Sequence, residues 1–492
     1  MNTTIFQFFH WYFSSDNNLW NHVADKAQEL SDLGVTHVWL PPAYKSAFGA
    51  TEAGYAVYDL FDLGEFDQKE TIRTKYGTKQ EYMDCIKALH DKKMDVLADI
   101  VLNHKIGADE KEIVPVQEVK DDDRNDKVSQ KIDVEADTRF TFPGRKGKYS
   151  QYIWDWHSFT GFCADDKIHL IHNEYGNGEW EDVMEDENGN YDYLMGCDIE
   201  FRNHAVREEL KYWGKWYVET TGVDGFRLDA VKHINTDFFP EWLGYLKQTF
   251  KKDFFCIGEY WKSNVDPLLR YIEATGEMIQ LFDVPLHFNF HKASKQGSDF
   301  DLRQIFDATL VKSKPQLAIT FVDNHDTQPL QSLESWVEEW FKPHAYAIVL
   351  LREQGIPCVF YTALYGASYS DNKNGQEFEI NITPTNALGI LMKVRTGMAY
   401  GTQRDYFDSP NIIGWTREGI DEIPNSGCAV VLSNADAGEL QMSLGEKHAA
   451  KTIVCVTGQQ QYQVVLNEKG EGVFSVDPGS ISVWVFKDFN EY

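Results

Sequence analysis

Several large classes of protein are excluded by what this 492-residue chain lacks. No apolar run approaches the roughly 18 residues that a membrane-spanning helix needs, so no membrane partner is expected. Cysteine is scarce and scattered: Cys85, Cys163, Cys197, Cys256, Cys358, Cys428 and Cys455 are odd in number and contain no CxxC pair. That pattern argues against a disulfide framework or a zinc site and for reduced thiols in a cytosol. Positive charge is in short supply. Lys and Arg total 47 against 77 Asp and Glu, a formal net charge of -30 that repels phosphate backbones and makes nucleic acid an unlikely partner. The N-terminus shows no basic segment followed by an apolar one; MNTTIFQFFHWYF already reads as a strand. The expected location is therefore cytoplasmic, although a chain whose signal peptide had been removed would read the same. Solenoid-type repeats, an obvious flexible linker and a cofactor loop are also missing.

What is present points to a large folded protein. Hydrophobic residues make up 42% and aromatics 14%, and the length suits two to four domains. The 31 Phe, 24 Tyr and 14 Trp exceed what a core usually needs. They read as large aromatic cores or as stacking platforms for flat ligands such as sugar rings, and composition alone favours the cores.

Strand-like and helix-like stretches alternate. An apolar run at 4–9 precedes an amphipathic helix with Leu19, Val23, Ala27 and Leu30 on one face and Gly34 at its stop. VTHVWLPP, a helix from Lys79 to His90 and DVLADIVLNH follow, which is the grammar of a parallel α/β fold. From 105 to 206 the text turns charged and turn-rich but keeps its aromatics, as a small β-rich insertion would. Alternation resumes with a helix from Val206, the stretch GFRLDAVKH at 225–233, a helix from Trp242 to Phe250 and FFCIGEYW. MIQLFDVPLH, a helix from Leu302 to Val311, AITFVDNHD, a helix from His344 to Arg352 and CVFYTALYG complete eight strand-like segments. The expected fold is a (β/α)8 barrel over 1–104 and 207–397, an inserted β-rich domain over 105–206 and an all-β sandwich over 398–492.

Four barrel-strand ends carry clustered polar residues: Asp99 to His104; Arg227, Asp229, Lys232 and His233; Glu259 and Trp261; and Asp323 to Asp326. In a parallel barrel these ends face one mouth, so Asp229, Glu259 and Asp326 converge and their mutual repulsion raises at least one pKa. Clustered carboxyls, a charged Arg, two His and neighbouring aromatics suit glycosidic bond cleavage, which needs one carboxylate as nucleophile or base and one carboxylic acid as proton donor.

With these stretches in view, the sequence resembles the α-amylase family of glycoside hydrolases, in particular its liquefying-type bacterial and intracellular members. DIVLNH, GFRLDAVKH, GEYW and FVDNHD match the family's four signature regions in order and spacing. The likeness extends to GYAVYDLFDLGEF, ENGNYDYLM, FDVPLH, TQPLQSLESWVEEWFKPHAYA and RDYFDSPNIIGWTREG. The resemblance implies Asp229 as nucleophile, Glu259 as general acid/base and Asp326 as transition-state stabiliser. It implies that Tyr55, His104 and His325 contact the sugar at the cleavage point, with Lys232, His233 and Trp261 at the leaving-group side. Arg227 would hold Asp229 ionised, and Asp99 would orient Arg227 without touching substrate. The substrate would be an α-glucan polysaccharide or maltooligosaccharide, cut with retention by an endo-acting monomer.

The resemblance also implies one structural calcium, held by Asn103, Asp192, Asp198 and the backbone carbonyl of His233, all oxygen donors as a hard cation needs. Where several relatives build a second metal cluster this chain has Thr160, Glu181, Glu200 and Arg202, and the cationic Arg202 opposes a second ion. Two other readings remain: a relative with a different bond or product preference, and a catalytically dead barrel kept for glycan binding.

Overall fold

The computed structural model describes residues 2–16, 18–458 and 462–487. Its centre is a closed barrel of eight parallel strands: Ile5–Gln7, His37–Leu40, Asp95–Ile100, Gly225–Leu228, Phe255–Gly258, Gln280–Phe282, Ala318–Phe321 and Ile356–Phe360. Each pairs with its neighbours in chain order, and the first closes on the last through Ile5 opposite Cys358. These strands are short and almost wholly buried, as expected where both faces are covered.

Local sequence explains the first helices. Asn18 accepts from the amide of Asn21 to start Leu19–Asp32, whose buried face is Leu19, Trp20, Val23, Ala27 and Leu30. Thr78 and Glu81 form a reciprocal capping box ahead of Lys79–Asp91. Gly34, at φ 79°, turns the chain into the second barrel strand, and a Cβ there would lie 1.9 Å from Thr396 Oγ1.

Two expectations are corrected between the sixth and seventh strands. MIQLFDVPLH is a strand only over Gln280–Phe282, because Asp283 then caps a helix, Val284–Gln296, with Pro285 in its first turn. The helix expected from Leu302 to Val311 is instead a 3-10 turn, Leu302–Gln304, and a one-turn helix, Leu310–Ser313. Ala308 at φ 52° interrupts it, and the Asp283 carboxylate accepts from the amides of Leu310 and Val311 to fix the second piece. A further element, the hairpin Ala367–Lys373 and Gln376–Ile382, follows the eighth strand where no structure was anticipated.

The insertion after the third strand is a six-stranded sheet. Its edge strand, His104–Lys105, leaves the barrel directly and pairs antiparallel with Cys197–Ile199, so that Asp198 lies opposite His104. The C-terminal part packs a six-stranded sheet against a two-stranded one, Gly438–Ser443 with Glu471–Val476. Strand Cys428–Ser433 shows why this is a sandwich. Cys428, Val430 and Leu432 join the main core, while Ala429 and Val431 face a second core with Met442, Phe474 and Trp484.

Candidate active site

The fourth barrel strand sets the site. Arg227 lies on it opposite Asp99 of the third strand and Ile257 of the fifth, with its side chain fully enclosed. Its Nη1 donates to Asp99 Oδ1 at 2.9 Å and to Asp229 Oδ1 at 2.6 Å, and its Nη2 donates to Glu259 Oε2 at 2.7 Å. One guanidinium thus holds two strand-end carboxyls side by side. Trp39 Nε1 and Tyr55 Oη donate to the other oxygen of Asp99 at 3.0 and 2.8 Å, so Asp99 is consumed in orienting Arg227. The backbone reinforces this arrangement. Glu259 Oε2 also accepts from the Ala230 amide at 3.3 Å, and Ala230 is held at φ 50°, a conformation that costs an alanine energy.

Asp229, Glu259 and Asp326 open onto a common cleft of about 280 Å³. Tyr55, His104, Lys232, His233, Trp261 and His325 line the same cleft, so every anticipated substrate contact except the enclosed Arg227 converges there. A larger cavity, about 470 Å³, lies among Leu286, Phe306, Arg352 and Phe407 near the C-terminal sheet. Its one carboxylate, Asp405, is paired with Arg352, so size alone misdirects and the carboxyl convergence decides.

The electrostatics follow from burial. Glu259 is driven up chiefly by burial, opposed by Arg227 and reinforced by Asp229 and Asp326, and reaches about 8. Asp326 is raised by burial to about 7 against the same guanidinium. Desolvation, more than the anticipated repulsion, therefore keeps a proton available at neutral pH. Burial lowers both His325, where Arg227 adds to the effect, and His104. Gln7 Nε2 donates to His325 Nδ1 at 3.0 Å, and His104 Nε2 donates to the Tyr55 carbonyl at 2.8 Å. These bonds fix the tautomers, leaving His325 Nε2 as a donor and His104 Nδ1 as a buried acceptor without a partner. Neutral, oriented imidazoles suit hydroxyl groups.

The family model for the α-amylase catalytic domain matches residues 15–383. The chain belongs to the α-amylase family of glycoside hydrolases. It is 49% identical to the cytoplasmic alpha-amylase of Escherichia coli strain K12, covering 99% of both chains. It is 47% identical to an alpha-amylase of Geobacillus stearothermophilus, covering 98% of this chain and 87% of that one. Among solved structures, an alpha-amylase of Geobacillus thermoleovorans in complex with acarbose superposes with a TM-score of 0.65 at 18% identity, covering 99% of each chain. At that identity the likeness concerns the fold alone.

Knowing the family raises the question of its metal. The sheet pairing brings Asn103 and Asp198 together: Asn103 Nδ2 donates to Asp198 Oδ1 at 3.1 Å, and Thr160 Oγ1 donates to the other oxygen. That leaves Asn103 Oδ1 buried with no partner, an oxygen a cation could take. Asp192 is buried beside them and accepts from the Glu181 amide at 3.0 Å. The His233 ring donates to the Tyr191 carbonyl at 2.7 Å, which anchors the chain just before Asp192. Burial raises Asp192 to about 7 and carries Asp198 and Glu181 well above the carboxylate range, with neighbouring acids adding to it. Among the described residues no three His, Cys, Asp or Glu side chains form a ligand set. A set of two carboxylates, one amide oxygen and a carbonyl would not meet that description, and its donors fit a hard cation. Arg202 occupies the adjoining space. Its Nε and Nη2 each lie 2.7 Å from an oxygen of Glu200, and its Nη groups donate to the carbonyls of Trp180 and Glu179.

Sequence reading missed Trp11, Tyr191, Leu194, Met195, Ser332 and Leu333, which also line the cleft. Trp11 was legible in principle. It follows the first barrel strand at the end where the other functional residues sit, and its ring stacks 5.7 Å from Tyr55 at 14°.

Proposed function

We propose that this α-amylase family hydrolase is a retaining, endo-acting α-amylase that cuts internal α-1,4-glucosidic bonds of starch, glycogen or maltodextrins. The observation that carries this reading is the Arg227 guanidinium shared by Asp229 and Glu259, with Asp326 facing the same cleft. Asp229 attacks the anomeric carbon while Glu259 passes its proton to the leaving oxygen, giving a glycosyl ester on Asp229. Glu259, now a carboxylate, takes a proton from water, whose oxygen displaces Asp229 and restores both groups. Retaining enzymes hold the two carboxyls about 5–5.5 Å apart, and adjacent nitrogens of one guanidinium suit that spacing. Asp326, His325 and His104 bind the hydroxyls of the sugar being cleaved, and Tyr55 stacks on its ring. Lys232, whose Nζ donates to the Trp261 carbonyl at 3.2 Å, belongs with Trp261 and His233 to the leaving-group side.

Asn103, Asp192, Asp198 and the His233 carbonyl would hold a single calcium, which supplies a structural cross-link between the barrel and the inserted sheet. The same reading keeps the division at 104/105, 206/207 and 397/398, a monomer, and a cytoplasmic location like that in the E. coli relative's name. The test is Glu259→Gln with starch as substrate. Loss of a general acid/base should lower kcat by roughly 10²–10⁴-fold with glucan binding retained. The parent's first product should be the α-anomer. Equal activity in variant and parent, or an initial β product, would overturn the reading.

A further inference from the structure

The hairpin Ala367–Ile382 belongs to neither the barrel nor the C-terminal sandwich; among the described residues its two strands pair only with each other. An isolated two-stranded hairpin is marginal in water, so its order must come from what it touches. The turn is built locally: Asn374 and Gly375 have φ of 56° and 78°, the conformation that matches strand twist. Register then sorts the side chains. Tyr369 with Ile380, Asp371 with Phe378 and Lys373 with Gln376 share one face; Ser368, Ser370, Asn372, Glu377, Glu379 and Asn381 share the other. The second face is wholly polar and suits solvent.

Among the described residues the hydrogen bonds, ion pairs and ring contacts to the body use the first face and run to two segments. Tyr369 stacks on Tyr12 with centroids 4.0 Å apart and planes 13° from parallel. Tyr12 Oη donates to Asp371 at 2.6 Å and accepts from Gln331 Nε2 at 2.7 Å. Tyr369 Oη donates to the Pro329 carbonyl at 3.0 Å, and Lys373 pairs with Glu334 at 2.5 Å. Tyr12 is next in the chain to Trp11, and the 329–334 loop contains Ser332 and Leu333; all three of these neighbours line the catalytic cleft. The hairpin is therefore fastened to one wall of that cleft.

Which end of the cleft follows from the proton donor. Glu259 protonates the leaving oxygen, so Trp261, two residues on, lies on the leaving-group side. The rings of His325, Tyr55 and Trp11 form one mutually stacked group, with centroids 5.3, 5.7 and 6.2 Å apart, so Trp11 sits against both rings assigned to the sugar being cleaved. Tyr12 follows Trp11 in the chain and stacks on Tyr369, whose ring also stacks 6.1 Å from His10, and Phe378, 36% exposed, stands on the same hairpin face.

We propose that the hairpin is the distal wall of the cleft on the non-leaving side, where Phe378 and Tyr12, the latter backed by Tyr369, hold glucose units of a longer α-glucan beyond those that Trp11 and Tyr55 reach. The inference rests on the glucan-hydrolase reading and adds the element that sets substrate length. Flat aromatic faces contact sugar rings without requiring a fixed hydroxyl pattern, which suits a repeating chain.

The test uses the full-length enzyme with maltotriose and reducing-end-labelled maltoheptaose. In Tyr369→Ala the ratio of kcat/KM for maltoheptaose over maltotriose should fall by roughly two- to tenfold, the worth of one aromatic contact. The fall should lie in KM, the labelled fragments should show a moved cleavage point, and Tyr369→Trp should restore both. If Tyr369→Ala does not fold, Phe378→Ala, whose ring is not among the ties to the body, should lower the same ratio. An unchanged ratio, or equal loss on both substrates, overturns the inference while parent activity stands. A parent that cleaves neither oligosaccharide overturns the glucan-hydrolase reading itself.

Discussion

Two buried clusters in this molecule have the same formal make-up and opposite circumstances. At the barrel mouth Asp99, Asp229, Glu259 and Asp326 surround one Arg227; beside the inserted sheet Glu181, Asp192, Asp198 and Glu200 surround one Arg202. Both have four acids to one guanidinium. Arg227 is fully enclosed and shared among three carboxyls, whereas Arg202 is 29% exposed at its side chain and is paired with Glu200 alone. The first cluster opens on a cleft: the side chains of Glu259 and Asp326 are 12% and 20% exposed, so they can exchange protons and meet substrate. In the second all four acids are at most 1% exposed. Its excess negative charge needs either protons or a cation held from within. Access, and not composition, separates a cluster suited to catalysis from one suited to a structural role.

Removing each guanidinium in turn tests this difference most directly. Arg227→Met strands three carboxyls and should cost about 3–5 kcal/mol of stability, together with most activity. Arg202→Met should cost less, about 1.5–3 kcal/mol, because one charged pair is lost at a partly exposed position. Denaturant unfolding of the two variants checks the order; equal losses would mean that enclosure does not matter.

Chelation should act on the second cluster alone. A cation bound only to the folded protein stabilises it by about 2.7 kcal/mol at a hundredfold excess over Kd. Stripping metal with a chelator should therefore lower the unfolding temperature, and calcium should restore it. Asp192, raised to about 7, has to lose its proton before it can bind a cation, so the restoring effect should weaken as pH falls below that value. A chelator with no effect at pH 8 would remove the structural ion from this account.

The smallest effect tests the first cluster by titration. In the proposed mechanism Glu259 is the proton donor, and its raised pKa keeps the proton on it at neutral pH. As pH rises through about 8, kcat/KM on maltoheptaose should fall about tenfold per further unit. A profile flat to pH 9 would detach the alkaline limb from Glu259.

Much of the fold was legible because barrel strands are buried on both faces and stand out as short apolar runs between amphipathic helices. Legibility failed where one side chain served two elements. Asp283 looks like the continuation of a strand, yet it caps one helix and fixes the start of another 27 residues away, a contact absent from any local window. The hairpin at 367–382 was missed for the converse reason: its buried positions are few, and its stabilising partners lie at Tyr12 and 329–334.

The linear text by itself determined which residues could do chemistry. Asp229, Glu259 and Asp326 are carboxyls at strand ends, and the rule that parallel barrel strands present those ends to one mouth follows from chain direction alone. Only tertiary structure decided their states. Whether a carboxyl keeps its proton depends on desolvation and on the guanidinium beside it, and both are set by residues more than a hundred positions apart, as Asp99 and Arg227 are. Spacing can name a group of acids. Enclosure and charge balance determine which of them can hand a proton to a substrate and which would need a metal.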